Sequence, residues 1–521
     1  MSGFRPRTAW TGGLVAATSL AAALTATPAG AISGPTAPDA VSAATARLDV
    51  GDQHGCSATL VAPQWLLTAA SCFTGTPGSP LAAGAPKLKT TATVGGSVQQ
   101  VVSLVPRSDR DVVMAELAQP VKGVTPIGVA GSAPAAGDAV QAAGFGRTHD
   151  EWVPDQVHAA PFTVQNTAAT TLDLAAASDG AAVCKGDTGG PVLANGGGHT
   201  AIAGVSSLSW QGGCLGTDAA ETRSGAVAAR VDDLAGWVQQ VAFSSTFAAA
   251  PWKHAVRMTA GYFTGGSAGG TRHMDLIVVW DDGKVTLYQG GSGNDPAHPL
   301  AAEHQLQPSK SIWTHAFNVI STNTGGGSDG VVVRWSDGEM TLYTSVDAKG
   351  FHGEKQLAPP HTSEWEKEAQ QLSAGDFSAN GRRDDLLVDW KDGHVSVFSD
   401  LASNGLKKQT QIVAKNTTWP YAEQLTTGSF TGKSTDDLLV RWIDGETTIY
   451  PGLTSKALPG EIKVRPAKSE WKDAAVVTAG SFTTNNRADD VIVRWSDGHV
   501  SLFNGVDAKG LHTETQLAPI G

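Results

Sequence analysis

Five copies of a Trp-x-Asp-Gly unit, at Trp280, Trp335, Trp390, Trp442 and Trp495, constrain the second half of this 521-residue chain more than any other feature. The intervals between them are 55, 55, 52 and 53 residues. A second tryptophan series, Trp252, Trp313, Trp365, Trp419 and Trp471, opens each unit, and residues 346–359 and 506–519 are nearly the same string. In the third unit four short β-type runs follow one another, at 371–377, 385–390, 395–398 and 409–413. The Asp-Gly before the third run suits a tight hairpin, because glycine accepts the positive φ that such turns require. One four-stranded unit cannot bury both faces of its own sheet. Repetition at this period therefore predicts blades stacked around an axis, and five copies predict a five-bladed β-propeller over residues 252–521.

Within the repeats, Gly375-Asp376-Phe377 with Asp384-Asp385-Leu386, and Gly428-Ser429-Phe430 with Asp436-Asp437-Leu438, resemble the FG-GAP/VCBS-like repeats of secreted and surface proteins. That resemblance implies an Asp/Asn-rich calcium loop. Only the third unit keeps a remnant of one, Asp376, Asn380 and Asp384; the other loops carry Ser, Thr, Gly or Lys, so no cofactor is expected. The ten repeat tryptophans have two readings. Their faces could stack on sugars, or they pack blade against blade, which is the commoner use of a tryptophan at a fixed repeat position.

The first half reads differently. Arg5 and Arg7, the apolar stretch 13–24 and the small residues Ala29-Gly30-Ala31 form a secretory leader over residues 1–31. Export predicts an extracellular protein in which disulfides are permitted. The four cysteines, Cys56, Cys72, Cys184 and Cys214, allow three pairings. A formal net charge of −12 disfavours a nucleic-acid partner, and no later apolar run is long enough to span a bilayer. Residues 243–251, rich in Ser, Thr and Ala, read as a short linker between a domain at 32–242 and the repeats.

The stretch Cys184-Lys185-Gly186-Asp187-Thr188-Gly189-Gly190-Pro191 resembles the Gly-Asp-Ser-Gly-Gly-Pro loop of the trypsin/chymotrypsin (peptidase S1) family. Thr68-Ala69-Ala70-Ser71-Cys72 is similar to the family's Thr-Ala-Ala-His-Cys motif, and Asp111 stands at the start of a segment similar to Asp-Ile-Ala-Leu-Leu. Cys56-Ser57-Ala58-Thr59-Leu60 resembles the strand that leads to the histidine motif. Ser209-Trp210-Gln211-Gly212-Gly213-Cys214 resembles the Ser-Trp-Gly-x-Gly-Cys strand on which substrate backbones pair. Leu234, Trp237, Val238 and Val241 carry the apolar spacing of a closing helix. The resemblance implies an all-β domain of two six-stranded barrels with a cleft between them. It also implies the pairings Cys56–Cys72 and Cys184–Cys214, and an oxyanion hole from the N–H groups of Gly186 and Thr188.

Carried onto these positions, the family's triad becomes Ser71, Asp111 and Thr188. A serine in place of histidine has no titration near neutral pH and cannot relay the nucleophile's proton. The methyl group of Thr188 restricts χ1 and crowds attack. Losing a triad member leaves only about 10³–10⁴-fold acceleration over water. His54 precedes Cys56, and His149, His158 and His199 fall in loop-like stretches; none is placed in the cleft by its sequence context. Ala182 occupies the position of trypsin's specificity aspartate, and Gln211 that of a pocket-opening glycine. The resemblance further implies that a new N-terminal ammonium, here that of Ile32, pairs with Asp187. The sequence thus favours an inactive peptidase homologue whose propeller binds a surface glycan or protein. Its alternatives are an endopeptidase using Thr188 and a lectin or adhesin acting through the propeller. N-terminal sequencing of exported protein is expected to begin at Ile32; any other start removes the premise of the Ile32–Asp187 pair.

Overall fold

The structure is a computed structural model that describes residues 36–196, 199–267, 270–292, 295–483, 485 and 487–521. The leader over residues 1–31 and Ile32 lie outside the described residues. Twelve strands come first. They are β1 (Thr45–Val50), β2 (His54–Ala62), β3 (Trp65–Thr68), β4 (Thr90–Val94), β5 (Ser97–Pro106), β6 (Val113–Leu117), β7 (Ala139–Gly144), β8 (His158–Thr167), β9 (Thr171–Ala176), β10 (Pro191–Gly196), β11 (His199–Ser209) and β12 (Ala226–Arg230). They close into two barrels, in the orders β1-β2-β3-β6-β5-β4 and β10-β11-β12-β9-β8-β7. Small residues make the second interior tight: Ala142, Ala160, Ala203 and Ala228 are buried around Phe162, Val164 and Leu172. Both expected disulfides are formed, Cys56–Cys72 and Cys184–Cys214.

Five four-stranded sheets follow, each built from consecutive strands. Their innermost strands are Ala255–Gly261, Ala316–Thr322, Ala369–Gly375, Ala422–Gly428 and Ala474–Gly480. Each lies against its two neighbours, and the fifth against the first, so the ring is closed. The third blade has strands Ala369–Gly375, Asp385–Trp390, Val395–Phe398 and Gln409–Val413, close to the sequence expectation.

Apolar side chains are pooled between blades. Trp471 packs with Leu439 and Ile449 of the preceding blade, and Trp313 with Ile277 and Leu287 of its own predecessor. All ten repeat tryptophans are buried, which leaves none of their faces free to stack on a sugar. Each Trp-x-Asp-Gly tryptophan donates its indole N–H to a hydroxyl six residues on: Thr286, Thr341, Ser396, Thr448 and Ser501, at 2.9, 2.9, 2.7, 3.0 and 3.1 Å. This bond satisfies the one polar group a buried tryptophan brings. The turn glycines adopt φ between +81° and +96°, and each turn aspartate accepts the N–H two residues on.

The linker reading of residues 243–251 is corrected. The helix Ala235–Ala248 runs through most of that stretch. Its Ser/Thr content resembles a linker, but Phe243 and Phe247 are spaced i, i+4 and continue the helix into a second apolar contact. Trp237, Val238 and Val241 pack in the first-barrel core, whereas Phe243, Phe247 and Ala248 pack with residues of the first and fifth blades. Polar bonds fix the same junction, with Trp237 Nε1 donating to Asp295 at 3.0 Å and Gln240 Nε2 to the His298 carbonyl at 2.7 Å. Because Trp471 is wholly buried between two blades, Trp471→Ala is expected to cost about 3–5 kcal/mol in urea unfolding of the propeller. A loss below about 1 kcal/mol would contradict inter-blade packing as its role.

Candidate active site

Each barrel supplies half of a cleft. From the first come Ser71, which opens the short helix Ser71–Thr74 after β3, and Asp111, just before β6. The disulfide to Cys56 ties that short helix to β2. Arg110 secures the Asp111 loop: its Nη1 donates to Asp233 at 2.6 Å and to the Arg230 carbonyl at 2.9 Å. From the second barrel come Thr188, on the loop before β10, and Ser207, within β11.

Asp111 receives three donors. The Ser71 N–H donates to Oδ1 at 2.7 Å, the Ser71 hydroxyl to Oδ2 at 2.8 Å, and the Ser207 hydroxyl to Oδ2 at 2.6 Å. The sequence places Ser209, not Ser207, at the head of the substrate-pairing strand. In the structure the Ser209 hydroxyl instead donates to the Val183 carbonyl. Ser207 itself sits at a register irregularity in β11, between Ser206 and Leu208, and nothing in the local composition marks it.

The Thr188 loop is held by backbone bonds. Ser57 N–H donates to the Thr188 carbonyl at 2.8 Å, Gly189 N–H to Ser206 at 2.8 Å and Gly190 N–H to Asp187 at 2.8 Å. Glycine at position 189 is required twice over, since its φ is +86° and a Cβ there would overlap Thr68 Oγ1 and the Ser57 carbonyl. The N–H groups of Gly186 and Thr188 make no hydrogen bond to other described residues, the condition expected of oxyanion donors.

The candidate positions Ser71 and Thr188 are not connected by a hydrogen bond. The half-buried Thr188 hydroxyl makes no hydrogen bond with another described residue, and Ser71 is committed to Asp111. No histidine takes over among the described residues. The His54 ring bonds the Cys72 carbonyl at 2.8 Å, His149 bonds the adjacent Asp150, His158 lies in β8 paired with Gly144, and His199 is exposed at the start of β11. Ala182 is buried against the Cys184–Cys214 disulfide and offers no charge. Gln211 adopts φ +61°, a left-handed conformation unusual for its type, and Trp210 is 41% exposed beneath the Arg223 guanidinium.

Residues 31–238 match the trypsin family model. This domain is 26% identical over 218 residues to the protein C activator of Agkistrodon contortrix contortrix, covering 38% of the chain and 89% of that relative. It is 25% identical over 218 residues to the platelet-aggregating proteinase PA-BJ of Bothrops jararaca, covering 38% and 87%. The protein C activator of Agkistrodon piscivorus leucostoma is 27% identical over 158 residues; the alignment spans 27% of the chain and 58% of that relative. Residues 31–238 thus form a trypsin-like domain, two six-stranded barrels that hold both disulfides.

Asp187 is fully buried and accepts N–H groups of Gly146 at 2.7 Å and Cys184 at 2.8 Å. Burial pushes its pKa up to about 7, against the two bonds that favour the carboxylate. The folded chain therefore holds a proton that the unfolded chain releases near pH 4. Stability is expected to fall as pH rises from 4 through 7, and Asp187→Asn to remove that slope. Urea midpoints measured against pH test this. A midpoint that instead rises over this range, and drops in Asp187→Asn at neutral pH, would place a cation on Asp187 as the Ile32 expectation requires.

Proposed function

We propose that the trypsin-like domain is a secreted peptidase homologue that does not turn over peptides, and that the propeller is its binding module for an extracellular glycan or protein. The observation that carries the reading is the Ser71–Asp111 pair. The position that must hold a proton acceptor between Asp111 and Thr188 is filled by a hydroxyl that donates to Asp111 at 2.8 Å. Without a base, the threonine hydroxyl stays protonated at neutral pH. Asp111, Ser71 and Ser207 then form a closed hydrogen-bonded unit that stabilises the barrel junction, a structural use of the geometry. Residues 1–31 support export, and two disulfides suit an oxidising compartment.

One observation favours a second reading, an endopeptidase that uses Thr188. The Gly186 and Thr188 N–H groups remain unbonded to other described residues, and Asp111 is retained. That reading still needs a base from substrate or solvent.

The two readings separate in one experiment. Wild-type protein is expected neither to cleave a broad peptide library nor to label with a fluorophosphonate. Ser71→His combined with Thr188→Ser should regain labelling that neither single variant matches, because base and nucleophile act as a unit. Turnover by the wild type that Thr188→Ala abolishes would establish the second reading instead.

A further inference from the structure

The geometry points to an acid-sugar site at one mouth of the propeller's axial channel, in which Arg257 holds the carboxylate of a uronic-acid-type unit. The inference names a site and ligand class for the propeller's part of the function proposed above, and rests on that part alone.

The channel is a cavity of about 170 Å³ lined by the innermost strands of all five blades. Near the start of those strands, one residue per blade forms a level of the lining: Arg257, Asn318, Gln371, Gln424 and Val476. One guanidinium and three carboxamides thus share a level with a single apolar residue. This set suits a carboxylate carried on a hydroxylated ring, because carboxamides both donate to and accept from hydroxyls. A purely apolar or purely ionic ligand would waste most of it.

Charge is concentrated on one side of this mouth. Arg494 of blade five and Arg334 of blade two flank Arg257, and no carboxylate pairs with any of the three among the described residues. Their bonds go to neutral acceptors instead. Arg334 donates to Asn318 Oδ1 at 2.8 Å, to the Trp365 carbonyl at 2.8 Å and to that of Gln370 at 3.2 Å. Arg494 donates to the Trp495 and Ala255 carbonyls at 3.3 and 2.6 Å, and Arg257 to the Phe317 and Val256 carbonyls. These bonds fix the guanidinium groups without neutralising them. Among the described residues, Arg257 Nη2 makes no hydrogen bond and the buried Arg494 Nε has no partner. Burial lowers the pKa of all three, and repulsion from Arg257 adds to this for Arg334 and Arg494; the attraction of an arriving anion offsets both effects. The acidic groups on the other side, Glu423 and Asp473, lie toward Arg441, and Asp389 of blade three is buried with its pKa raised to about 8.

The mouth is open. Phe317 is 44% exposed, with the Arg257 and Arg334 guanidinium groups 5.5 and 4.2 Å from its ring centroid. The trypsin-like domain docks through its closing helix on the outermost strands of the first and fifth blades, away from the axis. Arg383, which lines the channel farther along, is already paired with Asp329 at 3.2 Å.

Calorimetry on the full chain tests the site with sodium glucuronate, with glucose and sodium sulfate as controls at matched ionic strength. Glucuronate is expected to bind saturably and to raise the unfolding midpoint, glucose and sulfate to bind at least about tenfold more weakly, and Arg257→Gln to lose at least about tenfold in affinity. Arg257→Lys should recover part of it, since it keeps the charge without the fork. Equal binding of sulfate, or unchanged affinity in Arg257→Gln, overturns the proposal. So does the absence of any glucuronate effect on the wild type, a result that needs no variant to fold. A glucuronate-terminated oligosaccharide distinguishes the sources: comparable affinity assigns a glycan end, and exclusion of the oligomer assigns the free acid. Wild-type binding to neutral glycans or to a protein surface, with no response to glucuronate, would remove this site while leaving the propeller's proposed role standing.

Discussion

Each blade depends on its neighbour for its interior. The apolar side chains of one sheet are completed by the opening tryptophan of the next, and the fifth junction closes onto the first through Trp252, Ile492 and Leu502. No blade holds a full core of its own, which is why the repeat must be present in a closing number. Buried indoles on such a scale are costly unless their N–H groups are bonded. In the Trp-x-Asp-Gly series the hydroxyl six residues on meets that requirement across the same hairpin that the aspartate and glycine form, whereas the buried Trp471 indole N–H has no partner among the described residues.

The trypsin-like domain shows the opposite economy. Its cores are small-residue barrels, and what is specific lies at their junction. There Asp111 collects one backbone N–H and two hydroxyls, binding β11 of the second barrel to the Ser71 helix of the first. Three of the roughly four acceptor sites of this carboxylate are so occupied. With Ser71 of the first barrel on both of its oxygens and Ser207 of the second on one, Asp111 holds the two barrels in register.

The repeat period made the propeller legible, because it fixed both the strand count per unit and the number of units. The cysteine pairing was legible only through the family motifs. Other features were hidden for physical reasons. The helix over 235–248 carries serine and threonine on its later turns, and only the pair Phe243 and Phe247 betrays the second surface it buries. Ser207 was missed because a backbone irregularity, which has no compositional mark, shifts the strand beneath the motif. Two members of the guanidinium cluster, Arg334 and Arg494, carry a sequence signal, since each directly precedes a repeat tryptophan; Arg257 carries none, and Arg441 shares the signal without joining the cluster. Such a position faces a neighbouring blade, where a charge would ordinarily be excluded.

The shared helix sets the relation between the two domains. One face completes the first-barrel core and the other fills the seam between the first and last blades. The domains are consequently not beads on a string. A ligand array that met the cleft and the propeller together would encounter two surfaces at a fixed separation, so the gain from simultaneous engagement would be set by the spacing of the array and not by the reach of a tether. Matched spacing would be rewarded steeply and mismatched spacing not at all.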